Sequence, residues 1–209
     1  MTNQAESFYY PNNMGRIVLM AMEEVVGRSG VKAVLNQADL TYRIHHYPPN
    51  NLGREFSFDE LSRIQAALEN LFGPRAGRGL ALRTGRASFK YGLREFGPLL
   101  GATDLAFRLL PLDRKLRAGA ELFARAFNQF SDQRVRVEEQ TKHFLWHIER
   151  CPVCWKRRTD VPVCHLAVGL IQEALYWATG GKWFSVEETT CIAKGDPVCT
   201  IMIDKHPMD

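Results

Sequence analysis

The sequence predicts an α+β fold: a helical N-terminal half packed on a twisted antiparallel sheet that carries one long helix. Three observations lead there. Apolar residues recur at helical spacing through most of the chain before Arg134. From Arg134 onward the pattern becomes strand-like, with "VRVEE" and "HFLWHIE" alternating apolar and polar positions. Near the C-terminus, "CIAKGDPVCTIMI" sets two such runs on either side of a glycine, and two strands joined that closely pair antiparallel. Helices first, then strands with one helix among them, is the α+β order.

Taken in order, "MGRIVLMAMEEVVGRSG" places Ile17, Met20, Met22 and Val25 at helical spacing and ends at glycine. "VKAVLNQADL" reads as a short second helix, and Pro48 and Pro49 break the chain after it. In "SFDELSRIQAALENLFG", Ser57 and Glu60 form a capping box ahead of a stripe of Leu61, Ile64, Leu68 and Leu71. Two further helices are expected over 76–96 and 112–130. After the strands at 134–149, "CPVCWKRRTDVPVC" is a loop punctuated by Pro152 and Pro162. "HLAVGLIQEALYWATGG" is a helix that stops at Gly180-Gly181, and "KWFSVEETTCIA" with "VCTIMI" completes a terminal hairpin. The expected organisation is a flexible segment over 1–13 and a single domain over 14–209.

The chain has 209 residues, is 45% hydrophobic and 24% charged, and is long enough for one sizeable core. Its formal net charge of +4 is too mild to name a partner. The opening "MTNQAESFYYPNN" lacks a cationic start followed by an apolar run, so no secretory signal is read and a cytoplasmic location is expected. No apolar run reaches the roughly 18 residues of a membrane span. "GPRAGRG" neither follows a strand nor contains a glycine-lysine-serine/threonine triplet, so it is not a phosphate-binding loop. Arg83, Arg86, Lys90 and Arg94 recur at helical spacing and read as a solvated face, with no nucleic-acid partner expected.

Five cysteines without a signal segment argue for reduced thiols, metal ligands or buried apolar groups rather than a disulfide framework. Cys151 and Cys154 make a C-x-x-C. Cys164 opens the long helix, where the positive end of the helix favours a thiolate. Cys191 and Cys199 lie equally far from Gly195, so a hairpin turning on Lys194-Gly195-Asp196 sets them opposite each other, with Cβ atoms about 4.5–5.5 Å apart. Glu188 stands three positions before Cys191, a spacing that puts the two on opposite strand faces unless a bulge intervenes. By spacing alone, these residues fit either a shared metal or a set of buried structural thiols.

The run "VCHLAVGLIQEALYWATGGKWFSVEETTCIAKGDPVCTIMI" resembles the C-terminal signature of the vinyl-4-reductase (4VR) domain family, also called hydrocarbon-binding proteins. The matching features are a cysteine before a glycine-containing helix, a Glu-x-x-Cys, a Gly-Asp, and a last cysteine before a strand. "MGRIVLMAMEEVVG" and "GRASFKYGLREFG" are similar in character, so the resemblance extends over most of the chain. It implies a fold shared with haem-NO-binding domains and TRAPP trafficking subunits, in which helices and sheet enclose an apolar cavity. It also implies a structural zinc on Cys164, Glu188, Cys191 and Cys199, with Cys151 and Cys154 as departures able to replace a ligand. No ATPase or DNA-binding segment is read in the chain, so its output is expected through a partner or the ligand itself.

Three functions follow from that resemblance. The favoured one is a non-enzymatic binder of a small hydrophobic, aromatic or tetrapyrrole-like molecule. A vinyl-group reductase or accessory of bacteriochlorophyll synthesis is second, because neither a dinucleotide fingerprint nor a ferredoxin-type cysteine spacing is present, and a four-ligand zinc is redox-silent. A protein-interaction scaffold is third. Phe144, Trp146 and Ile148 share one strand face, and Val168, Ile171 and Leu175 form a stripe on the helix after Cys164. Strand and helix are sequence neighbours and should pack together. The ligand site is therefore expected at Phe144, Trp146, Val168, Ile171 and Leu175, with Tyr176 as a polar orienting group. His143 and His147 should face away from it. The family also implies a homodimer through the helical front.

Overall fold

The computed structural model describes residues 7–100, 107 and 109–208. A short strand, β1 (Tyr9–Pro11), pairs antiparallel with β2 (Arg54–Ser57), placing Tyr10 opposite Phe56. Between them runs α1 (Asn12–Gln37), and α2 (Phe58–Leu100) follows β2 directly. Residues 9–13 are thus strand and first helical turn, and the flexible segment expected over 1–13 is corrected to that extent. Cross-chain pairing holds them: Tyr10 and Phe56 are buried, and the Asn12 amide donates to Asn51 and Glu55.

Both long helices bend at a glycine. In α2 the break is at Gly73 (φ 78°), followed by Pro74, where the sequence reading ends one helix. In α1 it is at Gly27 (φ 71°) rather than Gly30. "GRSG" offers two equivalent stops, and packing selects the first. The capping box of α2 forms as expected: the Ser57 hydroxyl accepts from the Glu60 amide at 3.1 Å, and the Glu60 carboxylate accepts from the Ser57 amide at 2.8 Å. The other carboxylate oxygen of Glu60 takes the Arg43 guanidinium at 2.8 Å and the Tyr42 hydroxyl at 2.9 Å.

After α3 (Leu112–Phe130) the chain enters a four-stranded antiparallel sheet of β3 (Arg134–Glu139), β4 (His143–Arg150), β5 (Phe184–Thr190) and β6 (Cys199–Pro207), in the order β3-β4-β6-β5. The helix α4 (His165–Ala178) lies between β4 and β5 in sequence and crosses α2 at backbone contact. A Cβ at Gly169 would lie 2.0 Å from the Leu82 carbonyl oxygen, and one at Gly85 would lie 2.1 Å from that of Leu166. Only two glycines facing each other permit that approach.

The inner sheet face presents Val135, Phe144, Trp146, Ile148, Phe184, Val186, Ile201 and Ile203, all buried. His147 faces the other side, as alternation requires, and is buried there with Nδ1 at 3.1 Å from Thr200 Oγ1. Leu61, Ile64 and Leu68 are fully buried in the chain's own core, whereas Leu71 and its neighbour Phe72 are about two-fifths exposed, at 41% and 40%. Among the described residues no helix is long and apolar enough to cross a membrane.

Candidate functional site

Between α2, α3, α4 and the inner face of β4 lies a cavity of about 190 Å³. Its wall is a belt of aromatic rings. Phe123 of α3 stands 5.6 Å from Trp146 of β4 and 6.0 Å from Phe89 of α2, centroid to centroid. Phe127 meets Trp146 edge-on at 6.4 Å, and Trp177 of α4 stacks on Phe107 at 6.1 Å. These are the offset and edge-to-face geometries that ring quadrupoles favour. Tyr10 and Gln133 add a polar point, with the Tyr10 hydroxyl donating to the Gln133 side-chain oxygen. Burial holds the Tyr10 phenol well above its usual pKa, and the thiols of Cys151 and Cys164 add to that.

Four of the six ligand-site residues expected from sequence reach this cavity: Phe144, Trp146, Ile171 and Leu175. Val168 is buried but off the lining, and Tyr176 is 36% exposed, with its ring 4.6 Å from Trp183. The cavity face of α4 is instead Ala167, Leu170, Ile171, Ala174 and Trp177, a stripe rotated from the expected one. Tyr176 is corrected to Trp177, one position along the helix. The contributions of α2 and α3 were missed altogether. Leu116, Ala120, Phe123 and Phe127 recur at helical spacing, a signal that by itself reads as ordinary core.

Directly behind this wall lies the second feature, a cluster of all five cysteines, each reduced and 0–1% exposed. Val153, between Cys151 and Cys154, and Leu166, two residues after Cys164, both line the cavity. Cys151 Sγ lies 3.5 Å from Cys164 Sγ, and Cys154 Sγ lies 3.5 Å from Cys199 Sγ. Cys164 Sγ is 3.9 Å from Cys191 and 3.8 Å from Cys199.

Local structure explains the convergence. Gly195 adopts a left-handed φ of 105°, and the Asp196 carboxylate accepts from the Cys191 amide at 2.8 Å, closing the turn. The register then pairs Thr190 with Thr200, which brings the flanking Cys191 and Cys199 together. A bulge between Glu188 and Thr190 turns Glu188 onto the same side as Cys191. Across the cluster, Glu188 Oε2 accepts from the Cys164 amide at 2.7 Å, tying β5 to the start of α4. The loop carrying Cys151 and Cys154 is held from α2, where the Ser62 hydroxyl donates to the Trp155 carbonyl at 2.7 Å and Glu69 pairs with Arg157.

Two sets of four donors lie within 4.8 Å of one another: Cys164, Glu188, Cys191 and Cys199, and Cys151, Cys154, Cys164 and Cys199. A tetrahedral zinc with Zn–S of about 2.3 Å has S···S edges of about 3.8 Å, close to the separations observed. Glu188 Oε1 is buried without a hydrogen-bond partner. Burial, with the neighbouring Cys191 thiolate, pushes this carboxyl up to about 8. A cation would satisfy that oxygen. The donor chemistry therefore suits a thiolate-bound divalent metal.

In fold the chain is similar to H-NOX structures. An H-NOX protein from S. oneidensis in the Fe(II)NO ligation state aligns over 93% of this chain and 99% of its own, at 13% identity and TM-score 0.57. The Fe(II) unliganded H-NOX protein from K. algicida aligns over 95% and 97%, at 12% identity and TM-score 0.59. A mutant of T. tengcongensis H-NOX aligns over 95% and 100%, at 14% identity and TM-score 0.59. The likeness extends to the fold, and the cavity of this chain is not suited to haem. Its described lining contains no histidine or cysteine, the Tyr10 hydroxyl is committed to Gln133, and a methionine such as Met14 holds haem iron only beside a histidine. No curated protein sequence matches the chain. Residues 146–205, which contain most of β4, α4, the terminal hairpin and all six candidate metal donors, match the vinyl-4-reductase domain family.

Proposed function

We propose that this chain is a small-molecule-binding domain for a compact apolar or aromatic ligand, with a structural zinc beside the pocket. The observation that carries the reading is the aromatic-walled cavity of about 190 Å³. An apolar cavity of about 150 Å³ stays dry and takes up benzene, whereas pockets for drug-sized ligands span about 300–1,000 Å³. A single-ring or small fused-ring molecule matches this volume. A tetrapyrrole does not, so the ligand class narrows to the smaller aromatics. Tyr10 and Gln133 are the polar pair that would orient such a ligand through a hydroxyl or carbonyl.

The zinc reading takes Cys164, Glu188, Cys191 and Cys199 as ligands. The ion would fasten the terminal hairpin to the first turn of α4, whose next turns form the cavity wall. Five reduced, buried thiols accord with a cytoplasmic protein. A homodimer through the helical front would use Leu71 and Phe72, the exposed remainder of a stripe otherwise consumed by the core. Light scattering at the monomer mass of 23.8 kDa across micromolar concentrations would rule it out.

The binding test is a titration of phenol, toluene and naphthalene followed by tryptophan fluorescence, since Trp146 and Trp177 both line the cavity. Saturable quenching is expected, weakened at least tenfold in Phe123→Ala and unchanged in Tyr176→Phe. Equal affinity in wild type and a folded Phe123→Ala would place binding elsewhere.

A further inference from the structure

We infer that the cysteine cluster is built for two metal ions rather than one, joined by Cys164 and Cys199 as bridging thiolates. This rests on the zinc reading and extends it. The two donor sets share an edge, Cys164 and Cys199, and differ in the pair that completes each. Cys151 and Cys154 complete one and Glu188 and Cys191 the other. The six donors do not form one group within 4.8 Å, so the two completing pairs are not interchangeable ligands of one ion. Two tetrahedra sharing the Cys164–Cys199 edge, 3.8 Å long, account for all six donors at once.

A single ion leaves a worse arrangement in either position. In the set with Cys151 and Cys154 it strands Glu188, a buried carboxylate with one oxygen unpaired. Burying a charge without a partner is among the costliest arrangements in a protein interior. In the set with Glu188 and Cys191 it leaves the C-x-x-C idle. Yet Cys151 and Cys154 are 1% exposed, and their sulfurs lie 3.5 Å from Cys164 and Cys199, shorter than an ordinary thiol contact needs. Charge balance points the same way. Five thiolates and a carboxylate carry six negative charges, and two divalent ions offset four of them where one offsets two. The bridging positions are also the most firmly held. Cys164 caps α4 with its amide on Glu188, and the Ile192 amide lies 3.2 Å from Cys199 Sγ, where it donates to the sulfur.

The experiment is native mass spectrometry of protein purified without chelator and equilibrated with zinc, followed by cadmium substitution and NMR of the spin-half cadmium isotope. Two ions per chain are expected, with two cadmium resonances coupled to each other through the shared sulfurs. The Cys151→Ser/Cys154→Ser variant, which keeps Cys164, Glu188, Cys191 and Cys199, should hold one ion and lose the coupling. One ion in the wild type at saturating zinc overturns the binuclear centre and leaves the structural zinc standing. Two uncoupled resonances overturn the bridging. No bound metal overturns both readings.

Discussion

The cavity and the cysteine cluster are neighbours built on the same elements, β4 and α4, yet they hold together by different physics. The cavity wall is a belt of rings in dispersion contact, where each atom pair contributes only about 0.1–0.2 kcal/mol and no single direction is required. The cluster concentrates five thiols and a carboxylate within a few ångströms, and each donor must point at a common centre. Apolar packing tolerates a void large enough for a ligand. A thiolate–metal centre tolerates almost no displacement. The rigid feature therefore lies where the sheet, the hairpin and the start of α4 meet, and the adaptable one lies above it.

That contrast is open to direct attack, and the largest effect should come from the metal. Apparent zinc-binding free energies of about 10–16 kcal/mol in small peptides rival the entire stability of about 5–15 kcal/mol of an ordinary domain. Stripping the ion with a strong chelator, or replacing Cys199 by serine, should melt the terminal hairpin and the first turn of α4. Hydrogen exchange would register reduced protection over 184–207 while α1 remains protected. An unchanged melting profile after chelation would mean the cluster is only a set of buried thiols.

Next comes the helix crossing that serves both regions. Gly169→Ala drives a methyl group into the Leu82 carbonyl, and backbone cannot yield as a side-chain tip does. Overpacking costs about 1–3 kcal/mol, and the upper end is expected in a denaturant titration. Weaker ligand binding should accompany it, because α4 moves as a unit. A variant as stable as wild type would show that the crossing can relax.

Within the cavity the effects should be smaller and selective. Trp177→Ala removes a half-buried ring and should cost about 2 kcal/mol, less than the 3–5 kcal/mol of a fully buried aromatic. Its clearer signature is weaker binding of aromatic ligands, by about tenfold for each 1.4 kcal/mol of binding free energy removed with the ring. Val168→Ala, off the lining, should leave affinity unchanged. The reverse ranking would move the pocket to the other face of α4.

The smallest effect concerns His147, on the outer sheet face. Burial, with the Arg136 charge adding to it, lowers its pKa below the ordinary imidazole value. The unfolded chain then takes up the proton first as pH falls, so this contribution is present above about pH 6.5 and declines below it. His147→Gln should flatten the acid limb of a stability–pH curve. An identical limb in the variant would assign acid sensitivity to other groups.

The sequence by itself determined the order of elements and much of the chemistry. The span 112–130 was readable because its apolar period is unambiguous, and the α2 start because Ser57 and Glu60 sit at capping-box spacing. Cys191 and Cys199 were readable as opposed residues because a glycine turn sets strand register locally. Phe144, Trp146 and Ile148 share a face because a strand alternates, whatever packs on it. Tertiary structure alone decided the rest. The pairing of β1 with β2 joins runs of three and four residues that carry no local pattern. The β5 bulge that turns Glu188 toward Cys191 is a property of the paired ladder, not of either strand alone. The rotation of α4 that swaps Tyr176 for Trp177 is set by Gly85 and Gly169 meeting at the crossing. Periodicity fixes which residues share a face to within one position. Which partner that face meets is a matter of side-chain volume at contacts far apart in the chain, and that is written only in the packed molecule.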